Sequence, residues 1–173
     1  MPFTVAKYLD VAEGTQPGQF TIGERQEVAG LDDLDPIYVR LLDEPVTAVI
    51  AVMGKDGRPN LTPIWLDRDG DTLLLNFSEQ RKKVTWLRAN PEFTLFLTNP
   101  ENTYHWLTIK GTVTREVHED DPEEGARVTA ATDDLWQQYT GAEGEYGLRD
   151  DSVGERRVLF EARVDRVATF GRP

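Results

Sequence analysis

Apolar residues cluster in six β-rich runs along the chain and recur at helical spacing in three places. The first helical stretch is DDLDPIYVRLLDEP. Asp35 can cap it, Pro36 suits the first helical position, and Ile37, Tyr38, Leu41 and Leu42 share one face, until Pro45 ends it. VTAVIAVM, from Val46 to Met53, reads as a strand, and GKDGRP as a turn into a second strand, NLTPIWLDR. Pro63 inside that second strand removes a ladder donor and marks an edge or a bulge. TLLLNFS is a third strand, FTLFLTN a fourth, and YHWLTIKGTVTREV a long fifth with a bend expected at Gly111. DPEEGARVTAATDDLWQQYTG reads as a helix with Pro122 early, two glutamates in its first turn and Gly141 past its end. After a polar loop, AEGEYGLRDDSVGE, the run RRVLFEARVDRVATFG closes the chain as the sixth strand.

Residues 1–30 hold only scattered apolar positions and read as an N-terminal extension to a domain over 31–173. Six strands joined by hairpin-length turns do not alternate with helices as βαβ units would. They predict a mainly β protein, an antiparallel six-stranded barrel decorated by short helices.

Composition removes several chemistries. The 173 residues include no cysteine, so disulfides, thiolate metal sites and a cysteine nucleophile are excluded. His105 and His118 are the two histidines, too few for a histidine-rich zinc site, and no metal is expected. Asp and Glu number 31 against 19 Lys and Arg, a net charge of −12 that disfavours nucleic acid as a partner. No apolar run is long enough to cross a bilayer, and the start MPFTVAKYLDVAEG lacks the features of a signal peptide, so a cytoplasmic, non-membrane protein is expected.

One stretch conflicts with that acidity. SEQRKKVTWLRANP, Ser78 to Pro91, places Arg81, Lys82 and Lys83 together at the start of a second short helix. A helix N-terminus carries a partial positive charge, and each cation there costs some tenths of a kcal/mol. A solvated helix start is one reading. A bound anion is the other: a strand feeding a helix N-terminus gathers free N–H groups, Ser78 adds a hydroxyl, and a phosphate turns the repulsion into attraction. No GxxxxGK[ST] and no GxGxxG after a strand occurs, so neither a nucleoside-triphosphate loop nor a Rossmann site is indicated.

The hairpin ending in GRPNLTPIWL, a strand, and then S-x-x-R-K-K-x-x-W-L-R-x-N-P resemble the pyridoxamine-phosphate-oxidase-like superfamily of split β-barrel, FMN-binding-like flavoproteins. Within it the chain is most similar to the branch of small reductases that use the deazaflavin coenzyme F-420. The resemblance runs from Val46 to the last strand. It implies a homodimer with the cofactor in a groove between subunits, either F-420 or FMN. By position, Arg81 and Lys83 would hold the cofactor phosphate, with Lys82 and Ser78 in support. Thr62, Pro63 and Ile64 would lie beside the ring system, where a mid-strand proline loses little because the ring takes the place of a neighbouring strand. Asn76 is carried over as a further cofactor contact. No match to the substrate-phosphate residues of the pyridoxamine-phosphate oxidases is found near the C-terminus. The implied activity is hydride transfer between the deazaflavin and a small conjugated substrate. The alternatives are an FMN-dependent oxidase or reductase and a non-catalytic flavin-binding protein.

Tyr104 and Trp106 alternate on one strand face and either wall a flat cofactor, that of the partner subunit included, or serve core or dimer packing. Trp86, Trp136 and Tyr139 are expected in packing, His105 as a hydrogen-bonded structural residue, and His118 in a solvated loop. EDDPEE matches no calcium loop and reads as a helix-start charge run. No residue stands out as a catalytic base.

Overall fold

The structure, a computed structural model, describes residues 1–9 and 21–171. β1 (Phe3–Leu9) and β2 (Thr21–Val28) pair antiparallel, and β1 buries Phe3, Val5 and Ala6. Residues 10–20, within the predicted extension, and 172–173, at the end of the predicted domain, lie outside the described residues. α1 (Pro36–Asp43) starts as its sequence requires: the Asp35 carboxylate accepts the Ile37 N–H at 3.2 Å, and Tyr38, Leu41 and Leu42 face the core.

β3 (Ala48–Met53) and β4 (Pro59–Ile64) form the expected hairpin, in register from Ala48–Ile64 to Met53–Pro59. The predicted strand NLTPIWLDR does not continue unbroken, because β5 (Asp67–Asp69) is a separate short strand. The break at Trp65 and Leu66 has a physical cause in α3 (Gly125–Thr140). The Tyr139 hydroxyl accepts the Leu66 N–H at 3.1 Å and lies 3.1 and 3.2 Å from the Val46 and Leu66 carbonyls. A side chain thus meets backbone groups that a ladder would otherwise pair.

β6 (Thr72–Ser78) leads to α2 (Lys82–Ala89), then β7 (Glu92–Asn99), β8 (Asn102–His118) and, after α3, β9 (Arg157–Phe170). α3 begins three residues later than its sequence suggests. Asp121 accepts the N–H groups of Glu123 and Glu124, both at 2.9 Å, and this turn keeps the two glutamates outside the helix. Gly141 ends α3 at φ 69°, a left-handed conformation suited to glycine.

All six predicted strands are present, and β1, β2 and β5 are additional. The main path runs β2–β1–β9–β8–β7–β3–β4, with β6 joined to β9 and, through Thr72 to Leu74, to β5. All pairs are antiparallel except β1 with β9, which is parallel. Alternate residues of β3, β7 and β8, among them Ile50, Leu95 and Ile109, fill the interior with no exposure. No ladder joins β4 to β6 among the described residues. The barrel is split along that line.

His105 is buried, its Nδ1 3.2 Å from Asn99 Nδ2 and its ring 5.3 Å from that of Tyr38, and burial holds its pKa down. His118 closes β8 instead of lying in a loop, within 3.2 Å of Glu116.

The register between β8 and β9 slips at Lys110–Gly111, which is the bend expected there. A Cβ at position 111 would stand 2.6 Å from Phe93 Cζ and 2.9 Å from the Arg163 carbonyl oxygen. The ring can turn aside, but the strand carbonyl cannot. Gly111→Ala is therefore expected to cost about 1–3 kcal/mol, read as a lower urea midpoint. An unchanged midpoint would show that β8 and β9 separate freely at this point.

Candidate functional site

α2 begins badly for an isolated helix. Arg81 is its N-cap without a side-chain cap, and its first turn contains no acidic residue. The chain has acid to spare, and elsewhere it uses it. Arg68, Arg88, Arg115, Arg149 and Arg156 each meet carboxylates. Among the described residues no ion pair involves Arg81, Lys82 or Lys83.

These three residues open onto a cleft of about 610 Å³ that lies along the split. One side is Asn60, Thr62, Pro63, Ile64 and Trp65; the other is Asn76, Phe77 and Ser78, with Thr132 and Leu135 of α3. The size is that of a small-ligand pocket. Among the described residues no Asp, Glu or His lines it.

Lys83 reaches across the split. Its Nζ donates to Thr62 Oγ1 at 2.5 Å and stands 5.0 Å from the centre of the Phe77 ring. Burial first, and then the neighbouring Arg81, push the Lys83 pKa below the ordinary lysine value. Ser78 donates its hydroxyl to Gln80 Oε1 at 2.9 Å, and Gln80 Nε2 is tied to the Gly154 carbonyl. Pro63 lies on β4, which pairs only with β3 among the described residues, so its missing N–H falls on an edge strand. Asn76 is buried, and its side chain is engaged within the protein. Its Nδ2 donates to Thr132 Oγ1 at 2.8 Å and to the Val128 carbonyl at 3.3 Å, while its Oδ1 accepts Arg157 Nε at 2.8 Å.

Thr62, Pro63, Ile64, Asn76, Ser78, Arg81, Lys82 and Lys83 are thus brought to one cleft. Trp106 is not among its lining residues. It sits on β8 against Phe96 and Phe170, with ring centres 5.9 and 5.5 Å away. Trp86 packs on the core and also lines the cleft. Sequence reasoning missed Thr132, Leu135, Tyr146, Leu148 and Arg157. Only Arg157 left a trace, as a cation at the start of the last strand. Its position beside Ser78 is set by the β6–β9 register, which no local pattern shows.

A model of the family described as pyridoxamine 5'-phosphate oxidase matches residues 34–171. No curated protein matches the sequence significantly. An F-420 reductase of known structure is similar at a TM-score of 0.63 and 25% identity, covering 75% of this chain and 94% of that one. A conserved hypothetical protein from Mycobacterium tuberculosis gives 0.51 at 20% identity, over 72% and 76% of the two chains. HupZ of Group A Streptococcus gives 0.53 at 14%, over 79% and 93%. The last two likenesses show the fold alone.

The lowered Lys83 pKa sets a sign for pH dependence. As pH rises, Lys83 loses its proton earlier than an ordinary lysine, while arginine stays charged. Binding of inorganic pyrophosphate is expected to weaken, as pH rises toward the ordinary lysine pKa of about 10.4, more in the native protein than in Lys83→Met, measured by calorimetry in parallel. Identical profiles for the two would show that Lys83 takes no part in binding the anion.

Proposed function

The chain belongs to the pyridoxamine 5'-phosphate oxidase family, and on that footing we propose that it is an oxidoreductase that holds a phosphate-bearing deazaflavin in the β4–β6 cleft and acts on a small conjugated substrate. The observation that carries the reading is the cluster of three cations at a helix start, in an acid-rich chain, with no acidic partner and no carboxylate in the cleft lining among the described residues. The 25% identity to an F-420 reductase favours the deazaflavin. FMN is the alternative ligand, since its phosphate presents the same charge to the same cations.

In this reading Arg81 and Lys83 hold the phosphate, with Lys82 and the backbone N–H groups of Lys82 and Lys83 at the start of α2 in support. Thr62, Pro63 and Ile64 form the edge against which the ring lies. Trp86 and Leu135 exclude water. The bound cofactor supplies hydride transfer. The protein binds, orients and dries the site, which asks for no general base among the lining residues.

The homodimer belongs to the same proposal. On the outer face of the sheet, Leu61 is 62% and Phe96 39% exposed, above half-buried Ala51 and Val49 in the adjacent strand. Apolar side chains grouped in this way suit contact with another protein surface, here a second copy.

Titration with FMN and with F-420, followed by tryptophan fluorescence, tests the cofactor reading. Tight binding of F-420 alone supports it, FMN alone moves the protein to the alternative, and binding of neither overturns both. Arg81→Ala with Lys83→Ala is expected to weaken cofactor binding by about 1–3 kcal/mol with the circular dichroism unchanged. Phe96→Asp is expected to shift the light-scattering mass from dimer to monomer. A native protein that is already monomeric would remove the dimer from the proposal.

A further inference from the structure

The β6–β9 side of the cleft carries a guanidinium that the functional reading leaves without a role. Arg157 opens β9, and its side chain is only 12% exposed. Its Nε donates to Asn76 Oδ1 at 2.8 Å, Nη1 to Glu155 at 2.7 Å, and Nη2 points to the Asn76 carbonyl at 3.5 Å. A guanidinium has five N–H donors, so donors remain after these contacts among the described residues. The Tyr146 ring lies 5.0 Å from the guanidinium carbon. Tyr146 is itself fixed, its N–H donated to Asp133 Oδ1 at 2.8 Å and its ring edge-on to Trp136. Leu148, 61% exposed, lines the cleft beside them.

Charge and shape define what this group would take. Glu155, 8% exposed, neutralises Arg157 at short range. The pair therefore offers directed N–H donors with little net charge. A phosphate is drawn instead to Arg81 and Lys83, which have no such counter-ion among the described residues. An oxygen on a neutral, flat, apolar molecule suits Arg157: its body packs on Tyr146 and Leu148 while the oxygen accepts the remaining N–H groups. We infer that Arg157 is a specificity-determining residue that hydrogen-bonds the acceptor oxygen of a conjugated carbonyl or nitro substrate, with Tyr146 and Leu148 holding its body. Asn76 and Glu155 are positioning residues that fix the guanidinium in advance. The inference rests on the functional reading given above.

The test uses protein saturated with whichever cofactor it binds, titrated with benzylideneacetone and with its oxygen-free hydrocarbon analogue, followed by tryptophan fluorescence. Arg157→Lys keeps a cation for Glu155 but loses the planar fork. It is expected to bind the ketone about tenfold more weakly, with affinity for the hydrocarbon and for the cofactor unchanged within about twofold. Equal loss for ketone and hydrocarbon would reduce Arg157 to packing. Loss of cofactor affinity with the ketone unaffected would move it to the phosphate site. Either result overturns the inference. Should Arg157→Lys not fold, arginine-labelled native protein decides by NMR: the Arg157 side-chain signals are expected to move with the ketone and not with the hydrocarbon, and no movement overturns the inference. If the native protein binds neither cofactor, the functional reading fails, and the same ketone titration on the bare protein still decides the role of Arg157.

Discussion

β4 and β6 face one another across the barrel without a ladder between them, and strand edges of that kind need something to occupy them. Most of the neighbouring architecture serves this gap. Pro63 removes a donor from the exposed edge of β4. Tyr139 meets the backbone groups left over where the chain breaks between β4 and β5. Lys83 crosses from α2 to Thr62 and is the direct side-chain link between the two sides. Closing the barrel with another ladder would satisfy the same backbone groups but fill the cleft. Leaving it split costs ladder hydrogen bonds and leaves room for a flat ligand.

Electrostatics follow the same division of labour. A net charge of −12 is unfavourable for an anion site unless the local field is reversed. The two signs are kept apart. Carboxylates are gathered on the arginines of other surfaces, for example Glu79 and Glu116 on Arg88, and Glu119 on Arg149. Those contacts hold the Glu79 and Glu119 pKa values down, chiefly through Arg88 and Arg149 respectively. The cleft lining keeps its cations and has no acid. Burial of Lys83 is the counterpart, since it disfavours the charged form that a bound anion would favour.

Local pattern made the hairpin β3–β4, the strands β6 to β9 and the capped start of α1 legible, because period-two burial and an Asp–Pro cap are properties of consecutive residues. The basic start of α2 was legible for the opposite reason, as a violation of the dipole rule that a ligand would explain. What was hidden depended on distant partners. β1 is a strand through its pairing with β2 and β9, and residues 1–30 show too few apolar positions to announce it. The break in NLTPIWLDR needs Tyr139, 73 residues from Leu66. The late start of α3 turned on one Asp121 side chain competing with the helix for N–H groups. Asn76 was legible only through the family resemblance, as a cofactor contact. That its amide faces α3 and Arg157 was not.

The polar bracket at Asn76 bears on why this site is ordered at all. α3 rests on the barrel through a small apolar cluster, Leu74, Val117, Val128 and Leu159. Apolar contact is non-directional, so the orientation of α3 rests on polar contacts: Tyr139 to Leu66 and Val46 at its C-terminal end, and Asn76 nearer its start. Asn76 restricts it: two donors fix Thr132 and the Val128 carbonyl, and the acceptor fixes Arg157. A buried amide is costly if any partner is lost, which penalises every displaced position of α3 and leaves the native one. Tyr146 follows, since its N–H is held by Asp133 of the same helix. Asn76 on β6 and Tyr139 at the far end of α3 together hold Thr132, Arg157 and Tyr146 in place around the cleft. An apolar residue of the same size would keep the packing but leave the buried Arg157 Nε without its acceptor and α3 without its directional contact.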